Sequence, residues 1–167
     1  MKFEPRRAMA EEWPEIADVF IAARAEMTYL PGLHTNAETR AFIRHLVETR
    51  DVWVIARPAC GAMRVAGFAA LSDTPETAWL DHLYIDPATQ GHGAGSALLD
   101  TVKMQRPHGF SLWTFQANTG ARRFYEDRGL VCERLTDGRD NEEKLPDALY
   151  VWRGRQETAR RQQRRRA

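Results

Sequence analysis

The stretch Leu83-Tyr84-Ile85-Asp86-Pro87-Ala88-Thr89-Gln90-Gly91-His92-Gly93-Ala94-Gly95-Ser96-Ala97-Leu98-Leu99 decides how this chain reads. It passes from an apolar strand into an apolar helix through a loop with glycine at 91, 93 and 95. The first amides of a helix have no internal partner, and glycine lets a ligand approach them with no side chain in the way. The loop therefore makes an anion site, and a pyrophosphate fits it. Its spacing is not the G-x-G-x-x-G dinucleotide fingerprint, and no Lys-Ser or Lys-Thr follows to make a nucleoside-triphosphate loop.

Further along, Asn118-Thr119-Gly120-Ala121-Arg122-Arg123-Phe124-Tyr125-Glu126-Asp127-Arg128-Gly129-Leu130 reads as a second short helix behind a second apolar strand. Asn118 and Tyr125 fall two turns apart on one helix face and can line one groove, while the phase turns Phe124 toward the core. Gly129 ends the helix in the left-handed conformation. Gln90-x-x-Gly93-x-Gly95 followed by Asn-x-x-Ala-x-x-Phe-Tyr-x-x-x-Gly-Leu resembles the acetyl-CoA-binding core of the GNAT N-acyltransferase superfamily, from Trp79 to Cys132.

That resemblance implies acetyl transfer from acetyl-CoA to a primary amine, on a small molecule or a peptide, by direct attack. It assigns the thioester carbonyl and pantetheine to main-chain groups of Leu83, Tyr84 and Ile85. It places the pyrophosphate on Gln90, Gly91, His92, Gly93, Ala94, Gly95 and Ser96. Tyr125 becomes the general acid for the departing thiolate, Asn118 contacts the pantetheine or orders water near it, and Phe124 is counted with the cofactor contacts. Many relatives carry Arg or Lys within the loop, where this chain has only Gln90 and His92. Relatives are commonly dimers, so a homodimer is the expectation carried over.

The rest of the chain supplies the order of elements. A short strand is expected around Phe3. Ile16, Val19, Phe20, Ala23 and Met27 recur at helical spacing behind Pro14, and Phe42, Ile43, Leu46 and Val47 make a second stripe capped by Asn36. Val52–Ala56, Met63–Leu71 and Ala78–Ile85 read as an antiparallel meander. A helix follows from Gly93 to Met104, then a strand over Phe110–Phe115, a helix over Thr119–Arg128, and strands over Leu130–Leu135 and Leu149–Trp152. The order β-α-α-β-β-β-α-β-α-β-β predicts an α/β fold of the GNAT type: a central mixed, mostly antiparallel sheet with helices on both faces.

The 167 residues suit one domain over residues 1–152, followed by an Arg-rich tail over 153–167. That tail holds seven arginines against Glu157, placing +6 there and, with +1 overall, −5 on the rest. It has almost nothing to bury, so disorder is its expected state. An acidic body suits a cationic substrate and argues against nucleic acid as its partner, leaving the Arg-rich tail as the segment through which nucleic acid or another acidic partner would bind. No apolar run reaches membrane-spanning length and the N-terminus lacks a signal peptide's apolar centre, which predicts no membrane partner and a cytoplasmic protein. Cys60 and Cys132 show no metal or disulfide spacing, and Cys132 reads as a small buried thiol in a strand. The five histidines include no H-E-x-x-H and the acids no calcium-loop spacing, so no metal is expected.

An amine with a pKa near ~10.4 must lose a proton before it attacks a thioester. In some relatives a strand Glu takes that proton, and here the matching position is Trp79, which is assigned to the acceptor side instead. Alternation puts Trp79 and Asp81 on one strand face and His82 on the other. Asp81, acting through water, is the favoured base, with His82 as the alternative. His34 either lines the acceptor pocket or is a solvent-exposed loop histidine. Between the last two strands, Asp137 to Asp147 carries five acids against two bases, which makes Glu142 and Glu143 either a collar for a cationic acceptor or part of a solvated connector. The tryptophans read as core or pocket wall. With Trp79 in place of the strand carboxylate, the other reading is an acyl-CoA-binding sensor that has no productive acceptor site.

Overall fold

The computed structural model describes residues 2–154. Met1 and residues 155–167 are outside the described residues, and the tail expected to be disordered falls there, apart from Arg153 and Gly154. The elements are β1 (Arg6–Arg7), α1 (Trp13–Ala25), α2 (Asn36–Thr49), β2 (Asp51–Ala59), β3 (Ala62–Asp73), β4 (Ala78–Ile85), α3 (Ala94–Gln105), β5 (Phe110–Phe115), α4 (Thr119–Glu126), β6 (Val131–Leu135) and β7 (Asp147–Trp152). The strand order is β1-β2-β3-β4-β5-β7-β6. The β1/β2, β2/β3, β5/β7 and β6/β7 pairings are antiparallel, and β4 runs parallel to β5. This is the mixed, mostly antiparallel sheet that the sequence predicts.

Several boundaries differ from the sequence reading. The first strand lies at Arg6–Arg7 rather than around Phe3, where Ala8 N–H bonds the Val52 carbonyl at 2.9 Å. Met27 falls outside α1, which stops at Ala25. The cap of α2 is Thr35, not Asn36: its hydroxyl accepts from Glu38 N–H at 3.2 Å, and the Glu38 carboxylate accepts from Thr35 N–H at 2.8 Å. This reciprocal box satisfies two end donors and is worth about 1 kcal/mol. Helix α4 ends at Glu126, two residues short of Arg128.

The chain forms two compact units. Among the described residues the first gathers 2–72 with Leu80–Val102, and the second gathers Asp73–Trp79 with 103–154. In the first, Ile16, Val19 and Phe20 of α1 pack with Ile43 and Leu46 of α2 over Val54 and Phe68 of the sheet. Ile16, Ile43 and Phe68 are fully buried, each contributing about 1.5–3 kcal/mol of apolar transfer. In the second, Phe110 and Leu112 of β5 and Tyr150 and Trp152 of β7 are buried, with the Phe110 and Trp152 rings 5.6 Å apart. Cys132 is half-buried in β6, so the expectation of a buried thiol fails there: β6 lies last in the strand order and exposes most of its residues. Cys60 sits exposed in the tight turn joining β2 to β3, with φ +49°.

Candidate active site

The glycine loop belongs to the first unit. After Ile85 a short 3-10 turn over Pro87–Thr89 is capped by the Asp86 carboxylate, which accepts from Ala88 N–H at 2.8 Å. Gly91 and Gly93 then take φ +76° and +88°, the left-handed region that side chains rarely adopt, and a Cβ at either would meet nothing within 4 Å. Space is open above both. Helical bonding in α3 begins with Ala97 N–H to the Gly93 carbonyl at 3.0 Å, which leaves the Ala94 and Gly95 amides outside the ladder.

The Gln90 and His92 side chains each bond a main-chain carbonyl. The Gln90 amide donates to the Ile85 carbonyl at 3.2 Å, and the His92 ring donates Nδ1–H to the Gln90 carbonyl at 2.8 Å. Both tie the loop to its own backbone and hold it open. Beside the loop, the Thr89 hydroxyl is buried with no hydrogen-bond partner. An open cradle of amides and an unpartnered buried hydroxyl suit a phosphate-bearing group such as that of acetyl-CoA.

Upstream, β4 presents the candidate base residues. His82 lies among the rings of Phe20, Phe42 and Tyr84, at centroid distances of 5.8, 5.7 and 6.1 Å. Burial there, with the Arg24 and Arg50 charges nearby, lowers its pKa to about 4. Phe42 is itself exposed on its other side yet closes this cluster. Tyr84 shares the face of His82, as strand alternation requires, and its hydroxyl receives Arg24 at 3.4 Å. The Asp81 carboxylate lies 4.0 Å from the Arg50 guanidinium. Gly67 of β3 crosses so close to β4 that a Cβ there would meet Ile85 Cδ1 at 2.6 Å and the Tyr84 carbonyl at 3.1 Å. His34 is exposed in the segment between α1 and α2.

The second unit holds the other candidates. Asn118 is the N-cap of α4, its Oδ1 accepting from Ala121 N–H at 3.0 Å. Of Tyr125 and Phe124, Tyr125 is the more buried, where the helix phase predicts Phe124 as the core residue. Tyr125 is 7% exposed and packs on Phe124 and Tyr150, whereas Phe124 is half-exposed under the Arg128 guanidinium, 3.9 Å from its ring. The cause is the apolar neighbour on β7: Tyr150, fully buried, faces Tyr125 at 6.0 Å between ring centroids. The Tyr150 hydroxyl donates to Glu126 at 2.5 Å and accepts from Arg122 Nε at 3.1 Å, anchoring α4 at two points. Burial and the Glu126 carboxylate raise its pKa.

Trp79 is half-buried, in register with Ser111 of β5. A cavity of about 450 Å³ opens in this unit against Trp113, Phe115, Arg134, Asp140, Glu143 and Asp147. Of the two acids expected to form a collar, Glu143 lines this cavity and Glu142 does not. Sequence reasoning read Trp113 with the other tryptophans as core or pocket wall and did not single out Phe115 or Arg134, although Trp113 and Phe115 fall on one face of β5 by alternation.

A sequence profile of the acetyltransferase (GNAT) family matches residues 13–130, covering the glycine loop and α4. The chain belongs to that family. This acetyltransferase matches no curated protein in sequence. Its fold is similar to that of apo-form YjaB from Escherichia coli, with a TM-score of 0.72, 22% identity, and coverage of 93% of this chain and 100% of that one. The ribosomal-protein-S18-alanine N-acetyltransferase from Escherichia coli gives a TM-score of 0.71 at 15% identity, covering 92% of this chain and 96% of that one. The PaiA N-acetyltransferase from Thermoplasma acidophilum, solved in complex with coenzyme A, gives 0.66 at 16%, covering 92% and 99%. Acyl transfer is the chemistry of the family. Among the described residues of this acetyltransferase no helix is long and apolar enough to cross a membrane, and no group of three His, Cys, Asp or Glu is placed to hold a metal ion.

Proposed function

We propose that this acetyltransferase moves an acetyl group from acetyl-CoA to a primary amine by direct attack. The observation that carries the reading is the glycine loop, whose left-handed Gly91 and Gly93 open onto the first amides of α3. Those amides hold the pyrophosphate, with the helix N-terminus adding about 0.3–1 kcal/mol of favourable potential. Main-chain groups of Leu83, Tyr84 and Ile85 orient the pantetheine and the thioester carbonyl. Acetyl-CoA supplies the activated acyl group.

Tyr125 donates its phenolic proton to the departing thiolate. Its burial against Phe124 and Tyr150 fixes the ring, which lowers the entropic cost of placing that hydroxyl. Asp81 takes the proton of the acceptor ammonium through water. His82 is the weaker choice, because an imidazole lowered to about 4 among three rings stays neutral at pH 7 and holds an added proton poorly. It serves as wall rather than proton acceptor. Asp140, Glu143 and Asp147 give the second unit an acidic cavity, which supports a cationic acceptor.

The test is to mix the purified protein with acetyl-CoA and a panel of primary amines, following free CoA thiol. Thiol release that depends on one amine class is the expected result. Release no faster than hydrolysis with every amine, while CoA still binds, would overturn the transferase reading in favour of a sensor.

A further inference from the structure

The 450 Å³ cavity of the second unit falls within the range of roughly 300–1,000 Å³ typical of small-molecule sites. Trp113 and Phe115, two residues apart on β5, form one aromatic wall. Phe115 pairs in register with Asp147 of β7, so a carboxylate stands at the foot of that wall. Asp147 is built in: the Thr136 hydroxyl donates to one of its oxygens, and Asn141 Nδ2 donates to the other at 2.9 Å. Asn141 is held in turn by the Leu145 carbonyl at 2.7 Å. Asp140 and Glu143 from the loop line the same cavity, so its lining carries three carboxylates and, in Arg134, one cation.

That guanidinium lies over the Trp113 ring, 5.4 Å from its centroid, while Trp113 remains 41% exposed. A cation within about 6 Å of an indole face is drawn to the ring quadrupole, and surrounding carboxylates strengthen the pull. The chain's own side chain thus shows what this ring accepts. An anion placed there would meet the negative charge of Asp140, Glu143 and Asp147.

We infer that the cavity binds an organic ammonium cation with an apolar body, which stacks on Trp113 by displacing the Arg134 guanidinium. Phe115 receives the apolar body, and Asp140, Glu143 and Asp147 supply the balancing charge. That this cation is the acetyl acceptor rests on the transferase reading above; that the cavity binds it does not.

The probe is benzyltrimethylammonium, which has no N–H to acetylate, titrated into the full-length protein by calorimetry. Phenylmethanesulfonate, of similar shape and opposite charge, is the control. Arg134→Gln is expected to tighten binding of the cation by about 5- to 30-fold, the span of a partly desolvated cation–π contact. Trp113→Leu is expected to weaken it by a similar factor and, in the double variant, to abolish the gain from Arg134→Gln. Should Trp113→Leu lower the thermal midpoint, Trp113→Phe takes its place, with an affinity between those of wild type and a chain lacking the ring. The inference is overturned if neither wild type nor Arg134→Gln binds the cation, if the sulfonate binds as well, or if the double variant keeps the gain. Thiol release from acetyl-CoA with benzylamine is read separately. A chain that transfers but ignores the quaternary cation overturns this inference alone, whereas one that binds it without transferring overturns the transferase reading and leaves the cation site standing.

Discussion

His82 makes stability depend on pH in a calculable way. Its ring packs against Phe20, Phe42 and Tyr84, and the charged groups acting on it are Arg24 and Arg50. Burial first, then those two guanidiniums, lower its pKa from 6.5 to about 4. In the unfolded chain the imidazole takes a proton at the ordinary value. Between pH 6.5 and 4 the unfolded state therefore binds more protons, and stability falls as pH falls through that window. Two-state linkage gives a loss of about 1.4 kcal/mol at pH 5.5 and about 2.5 kcal/mol at pH 4.5, relative to pH 7.5. His82→Phe keeps an aromatic ring in the cluster and removes the titration. Urea midpoints of wild type and variant, measured at pH 7.5, 5.5 and 4.5, isolate this contribution because the other titrating groups are common to both. The variant is expected to lose less stability than wild type on acidification, by those amounts. Parallel pH dependence in the two proteins would refute an imidazole held neutral among the rings of Phe20, Phe42 and Tyr84.

Tyr125→Phe is expected to lower turnover by about 10²–10⁴-fold, read as initial thiol release, while calorimetric CoA binding is unchanged. Unchanged turnover would remove Tyr125 from the chemistry. Asp81→Asn should lower kcat/KM by roughly 10²-fold; a kcat/KM matching wild type would exclude Asp81 as the base. Gly93→Ala forces a side chain to φ +88° at a cost of about 1–2 kcal/mol, though the open space there leaves the neighbours undisturbed. The expected signature is a small drop in thermal midpoint with a rise of about 10-fold in the KM for acetyl-CoA, and an unchanged KM would place the phosphates elsewhere. Tyr150→Phe removes the bond to Glu126 and should cost about 1.5 kcal/mol in urea unfolding, whereas a neutral effect would show that this bond does not hold α4.

The glycine loop was legible because its signal is local. Alternating glycines between an apolar strand and an apolar helix fix backbone freedom and helix-end amides without reference to distant residues, and the left-handed Gly91 and Gly93 bear this out. The alternation of β4 likewise put His82 and Tyr84 on one face, and the periodicity of Ile16, Val19, Phe20 and Ala23 placed α1. Other outcomes were set by partners far along the chain. Tyr125 became more buried than Phe124 because Tyr150, 25 residues on, supplies a surface that it packs against. Cys132 was left half-exposed because β6 fell at the end of the strand order. The acidic cavity follows the same logic. Periodicity could place Trp113 and Phe115 on one side of β5, but only the β5-β7-β6 register brought Asp147 and Arg134 to them. Local backbone chemistry is written in neighbouring residues, whereas which side chains share a cavity depends on strand pairing and helix packing, whose energies are nonlocal contacts spread along the whole chain.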